Sequence, residues 1–204
     1  MAEHGPFPAG AVEWSGENPG MYLKETENGP FVSLVSFFRV VLSPHGRGEG
    51  VVLLEAPDAE KSTPQALNLC VTNNEPLSRW LAENFVAHFG SFRGKAGLRG
   101  MEYRKLTRVE RGGDWPRSYV EELEGEGVKI RLAWEELGPP FMVDMPAAKS
   151  ATGKHEMFSL FVDCKRATAT INGRTLKGRS LPREFAGRQS TTAFLAFSET
   201  WVRA

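Results

Sequence analysis

The sequence predicts a mainly β protein, an antiparallel β-barrel or strongly curved sheet of about nine or ten strands with one well-formed α-helix near residues 75–89. Three observations predict it. Apolar and polar residues alternate over short runs, turn-forming residues interrupt those runs at short intervals, and no helix recurs between strands as a βαβ protein requires. The 204 residues, 41% of them hydrophobic, are enough for one well-filled core. Residues 1–20, rich in Gly and Pro, read as an extended lead-in with one short pairing at Val12 to Trp14, and residues 21–204 as a single barrel domain.

Met21 to Glu27 reads as a strand and Asn28-Gly29-Pro30 as a turn. Phe31 to Leu42 is apolar apart from Ser33, Ser36 and Arg39, a spacing that admits a helix, but its β-branched and aromatic residues favour a strand. The glycine-rich loop Ser43 to Gly50 leads into Val51 to Glu55, which closes a hairpin, and Gln65 to Thr72 adds another strand. Asn73 or Asn74 caps the helix, Glu75 and Pro76 suit its first turn, and Leu77, Trp80, Leu81, Phe85, His88 and Phe89 recur at spacings of three and four before Gly90. A stripe of that kind covers a sheet or plugs an opening, and the expected place is one end of the barrel. Leu98 to Val109 is a strongly cationic strand, and Phe141 to Met145, Glu156 to Asp163 and Arg166 to Ile171 follow. Asn172-Gly173 fits a type I′ turn, whose two central residues both need positive φ. The last strand, Thr191 to Val202, sets Leu195, Phe197, Glu199 and Trp201 on one face. Such a barrel resembles the lipocalins in general shape, an analogy of architecture that by itself fixes no function.

The hairpin from Ser118 to Trp134 is the most informative stretch. Val128, Ile130, Leu132 and Trp134 alternate with Lys129, Arg131 and Ala133, which gives a strand with one face inward. A turn within Glu124-Gly125-Glu126-Gly127 is expected to set Leu123 opposite Val128, Glu121 opposite Ile130 and Tyr119 opposite Leu132. The inward face then holds a carboxylate. Burying an ionised Glu121 is costly without a partner, and Arg104, Lys105, Arg131 and His155 are the cations within expectation.

Net charge is zero, but residues 1–60 carry 3 basic and 9 acidic side chains (net −6), 61–144 carry 12 of each, and 145–204 carry 10 and 4 (net +6). The preferred reading is that the two ends of a closed sheet lie side by side and neutralise each other. No window approaches the roughly 18 uninterrupted apolar residues of a spanning helix, and Met1 to Gly10 lacks the basic patch and apolar run of a secretory signal. A cytoplasmic protein without membrane association is expected. Cys70 and Cys164 sit in apolar strands, which suits reduced, buried thiols, with a bridge between them left open.

Motifs for chemistry are scarce. Gly46-Arg47-Gly48-Glu49-Gly50 leads into a strand, whereas a dinucleotide loop must lead into a helix. Thr152-Gly153-Lys154-His155 puts His155 where a P-loop needs Ser or Thr. The four histidines have no paired spacing, so no metal and no cofactor are expected. The segment Gly178 to Arg188 mixes cations with glycine as a solvated loop would, or as a loop that meets an anion. The leading expectation is a barrel interior that binds an apolar small molecule bearing a polar or anionic group, with acid–base chemistry left open. Glu121 and His155 are the candidate acid–base residues, and Tyr119, Arg104, Arg131, Trp134, Glu199 and Trp201 the candidate ligand contacts. The alternative is a protein-interaction module or homodimer that pairs acidic N-terminal with basic C-terminal surfaces. Zero net charge and the lack of a stacking motif make nucleic acid the weakest partner.

Overall fold

The computed structural model describes residues 10–204; the earlier part of the expected lead-in, residues 1–9, lies outside the described residues. The strands are β1 (Val12–Glu17), β2 (Gly20–Lys24), β3 (Phe31–Leu42), β4 (Gly48–Leu54), β5 (Asn68–Thr72), β6 (Glu102–Gly112) and β7 (Ser118–Gly125). They continue as β8 (Val128–Leu137), β9 (Phe141–Met145), β10 (His155–Ile171), β11 (Arg174–Thr175), β12 (Pro182–Phe185), β13 (Arg188–Thr191) and β14 (Ala193–Arg203). Nine of them close into a barrel: β2 through β8 in sequence order, then β10, then β14, which returns to β2. β1 pairs with both β14 and β3, β9 adds to β10 from outside, and β12–β13 is a separate hairpin. Asn172 and Gly173 have φ of 49° and 79°, as the I′ turn requires.

The barrel is mixed rather than strictly antiparallel, because β5 and β6 run parallel from Leu69 opposite Glu102 to Thr72 opposite Lys105. Parallel neighbours need a long crossover, and residues 73–101 supply it. It contains α1 (Glu75–Asn84), a 3₁₀ turn at Val86–His88 and the short α2 (Ala96–Arg99). The Asn74 side chain caps α1 by accepting from the Leu77 amide at 3.1 Å, and Pro76 occupies its first turn.

α1 covers the outer wall of the barrel, not its end. Leu77, Leu81 and Phe85 pack with Val52, Leu54 and Cys70, whereas the alternate residues Val51, Leu53, Leu69 and Val71 point into the lumen. Strands apolar on both faces supply two cores from one wall. The lumen is filled by side chains from all nine strands, among them Met21, Phe37, Leu123, Ile130, Trp134 and Leu195. Both cysteines are buried free thiols.

Two registers differ from expectation. The β7–β8 turn is only Glu126-Gly127, with Gly127 at φ 67°, so Leu123 faces Ile130, Glu121 faces Leu132 and Tyr119 faces Trp134. A two-residue slip preserves side-chain parity, so every inward residue stays inward. In β14 a bulge at Ser198 (φ 50°) sets Thr200 and Phe197 against Phe158 and Leu160, three residues of spacing against two. Leu195 and Phe197 therefore face the lumen, while Glu199 and Trp201 turn to the outer wall and do not share their face.

One rim of the lumen holds an ion network. Arg39 reaches both Glu121 oxygens at 3.1 Å and Glu17 at 2.6 Å, and it also pairs with Glu49. Arg111 joins Glu17 at 2.7 Å and Glu121 at 3.4 Å, and the Tyr119 hydroxyl donates to Glu121 at 2.6 Å. Elsewhere Glu13 pairs with Arg203 and Glu55 with Arg174, so acids of the first third meet bases of the last within the chain. Replacing Arg39 strips a fully buried carboxylate of its main cation. Arg39→Met is expected to cost about 3 kcal/mol or more in urea unfolding, and Arg39→Met with Glu121→Leu to cost clearly less than the single change.

Candidate functional site

A cavity of about 530 Å³ lies outside the barrel wall. Its floor is the outward face of three strands: Tyr22 of β2, Met157 and Phe161 of β10, and Phe194, Glu199 and Trp201 of β14. Phe89, Gly90 and Ser91, just after the 3₁₀ turn of the crossover, form one side, and Met145, Lys149 and Ala151, around the end of β9, form another. Pro182 to Ala186, in β12 and its turn, form a third side.

β12 and β13 form a hairpin because Ala186 and Gly187 both take positive φ, 51° and 74°, and so make a tight turn. It is tied to β10 by the Ser190 hydroxyl, which donates to Asp163 at 2.6 Å, and its base is closed by the Leu181 amide, which donates to the Thr192 hydroxyl at 3.0 Å. Phe185 lies 5.0 Å from Phe161, which stacks at 4.9 Å on Phe194, and Tyr22 meets Phe194 edge-on at 5.3 Å.

Period-two alternation sends Arg183 to the same side as Phe185. Its guanidinium carbon sits 4.6 Å from the Phe185 ring centre, 4.8 Å from Phe194 and 5.8 Å from Tyr22. Nε and Nη2 are buried and have no hydrogen-bond partner. Burial pulls this guanidinium's pKa down; Tyr22 and Asp163 oppose that pull, but Asp163 already accepts from Ser190 and Thr191. Among the described residues Arg183 is a cation beside a cavity with two guanidinium nitrogens unspent.

Glu199 is 3% exposed. It accepts from Trp201 Nε1 at 2.7 Å and from Asn18 Nδ2 at 3.2 Å, and Asn18 Oδ1 accepts in turn from the Ser36 hydroxyl at 2.7 Å. Burial pushes the Glu199 carboxyl up to about 7 against the lowering effect of those two N–H donors. Tyr22, buried close by, is raised well above the ordinary phenol range, first by burial.

Of the residues singled out in the sequence, only Glu199 and Trp201 line this cavity. Tyr119 and Trp134 face the lumen, where the Trp134 indole donates to the Gly20 carbonyl at 3.1 Å. Glu121 sits in the rim network with Arg39 and Arg111 rather than with Arg104, Lys105, Arg131 or His155. Arg104 pairs with Glu102, and Arg131 with Glu122, each at the surface. His155 belongs to the outer core beside Phe85 and Trp201, with Nε2 3.1 Å from Glu13 and Nδ1 2.8 Å from the Thr152 hydroxyl. Burial lowers its pKa against the pull of Glu13. Glu121 and His155 thus lie on opposite sides of the barrel wall and form no pair. Asn18 is not among the residues the sequence marks, and Arg183 is marked only as one cation of the Gly178 to Arg188 segment, where the structure has strand β12 in place of a solvated loop. The run Pro182-Arg183-Glu184-Phe185 followed by Ala186-Gly187 was a hairpin signal for Arg183, and nothing local marked Asn18.

No protein-family model matches the chain, and neither a curated protein nor a solved structure resembles it significantly. No helix among the described residues is long and apolar enough to cross a membrane.

The raised Glu199 pKa has a consequence for stability. The folded chain holds this proton up to about pH 7, whereas the unfolded chain releases it near 4.5, so the folded state binds more protons in between. Stability from this group is therefore full below about pH 4.5 and is lost as pH rises to about 7. The stability of the parent chain minus that of Glu199→Gln, from urea titrations, is expected to fall by about 3 kcal/mol across that window.

Proposed function

We propose that this chain binds a small, largely aromatic molecule carrying an anionic group, held in the outer-wall cavity with its anion on Arg183. The observation that carries the reading is the pair of buried, unpartnered guanidinium nitrogens of Arg183, Nε and Nη2. Buried polar groups in native proteins are almost always satisfied, and a guanidinium matches a carboxylate, sulfonate or phosphate bidentately. A cavity of about 530 Å³ is within the range of small-molecule sites, and its walls, Tyr22, Phe89, Phe161, Phe185, Phe194 and Trp201, suit an aromatic body. The expected kind of ligand is kept from the sequence reading, but its place moves from the lumen to the outside of the wall. The alternative, a pairing of acidic and basic surfaces between copies, competes with Glu13–Arg203 and Glu55–Arg174, which join such charges within one chain.

Fluorescence titration with 8-anilinonaphthalene-1-sulfonate and its uncharged analogue N-phenyl-1-naphthylamine tests the reading. Arg183→Met is expected to weaken the sulfonate about tenfold or more, the worth of charge-assisted hydrogen bonds, and to change the neutral compound less than about twofold. An equal loss for both probes would show that Arg183 only shapes the cavity. If Arg183 serves a ligand, Arg183→Met should also cost the unliganded protein less than about 1 kcal/mol, since an unpaired buried cation contributes little to the fold.

A further inference from the structure

Both protein donors to Glu199 address one oxygen. Trp201 Nε1 and Asn18 Nδ2 bond to Oε1, and Oε2 accepts from no described residue although the carboxyl lines the cavity. An oxygen that already accepts two N–H bonds is the poorer seat for a proton, so the neutral acid carries its hydrogen on Oε2. Burial favours that neutral form, and Arg183 makes no ion pair with Glu199 that would restore the charge. A neutral carboxyl in an apolar wall is a hydrogen-bond donor, and it needs an acceptor. A ligand ammonium would require the ionised form that burial disfavours, and a second ligand anion would have to be desolvated against Glu199, which no cation of the cavity pairs with. An uncharged carbonyl oxygen meets neither objection.

Resting on the cavity reading above, we infer that Glu199 donates its Oε2 proton to a carbonyl of the ligand, and that the site takes anionic aryl carbonyl compounds, aryl keto acids in chemical class, with uptake of a proton. Arg183 holds the anion, and Glu199 discriminates at the other polar group. In the empty site a fraction of Glu199 is ionised near neutral pH; in the complex the hydrogen bond to the carbonyl retains the proton. Other charged or titratable groups face the same space: Tyr22 and Lys24 from β2, Lys149 after β9, and Glu184 beside Arg183 on β12. Behind Trp201 stands His155 of β10 with Glu13 of β1 and Arg203 of β14. Because His155 also titrates, the Glu199 variants, not the parent pH profile alone, decide the question.

The experiment is calorimetric titration with 4-benzoylbenzoate and with 4-benzylbenzoate, which replaces the ketone by a methylene; both are carboxylates above pH 6. The parent chain is expected to prefer the ketone about tenfold at pH 6 and less than about twofold at pH 9, one hydrogen bond gained and lost. At pH 7.5 its apparent heats in phosphate and Tris should differ, reporting proton uptake. Glu199→Gln keeps an acceptor for Trp201 and Asn18 and offers an amide N–H in place of Oε2–H. It should keep the ketone preference at both pH values with no proton uptake, whereas Glu199→Leu should lose the preference throughout. Equal affinity of the parent for the two compounds at pH 6, or a preference that survives in Glu199→Leu, would overturn the inference and leave the Arg183 reading intact. Failure of the parent to bind either compound would instead remove the cavity reading itself.

Discussion

Closing nine strands into a barrel requires one strand to bond on both edges across the seam, and β14 does so, against β10 on one side and β1 and β2 on the other. The same strand carries the bulge at Ser198. Before it, the odd-numbered residues fill the lumen; after it, the odd-numbered residues face outward. Without that single extra residue Glu199 and Trp201 would continue the lumen face begun by Leu195 and Phe197, and the cavity would lack its acid and one of its walls. Bulges re-aim side chains at functional positions elsewhere for the same geometric reason.

The outer wall is apolar and needs a cover. The parallel pairing of β5 with β6 provides part of it, since only a long crossover can join parallel neighbours, and this one lays α1 against the wall. The crossover goes on to present Phe89 to Ser91, and the hairpin β12–β13 lines the same cavity. The cavity lies among these covers and the segment around the end of β9. Within it the chain tolerates an unpaired guanidinium and a raised carboxyl, arrangements that weaken a fold when nothing else requires them.

How much of this was legible in the sequence depended on range. Period-two alternation set Tyr119, Glu121, Leu123, Ile130 and Trp134 on the inward face correctly, and it survived an error of two residues in the turn because parity is indifferent to an even slip. The cap at Asn74 and the apolar stripe of α1 were equally local. The partner of Glu121 was not: Arg39 is 82 residues away and is brought to it by barrel curvature. Nothing in the last strand announces the bulge, because Phe197-Ser198-Glu199 is as acceptable to an unbroken strand as to a kinked one. Arg183 stood in view as one of several cations in a glycine-containing stretch, and its burial follows from where the hairpin lands, a tertiary fact.

The alternation that builds the barrel has a further effect on how the chain can change. On β14 and β10 the residues that close the lumen and the residues that line the cavity interleave along one backbone, Leu195 beside Phe194 and Val162 beside Phe161, yet they belong to separate packed bodies. A substitution in one set removes contacts of its own cluster and leaves the side-chain contacts of the other in place. A descendant of this chain can therefore exchange its cavity residues while the scaffold drifts on its own schedule; the two histories are written on alternate letters of the same strand.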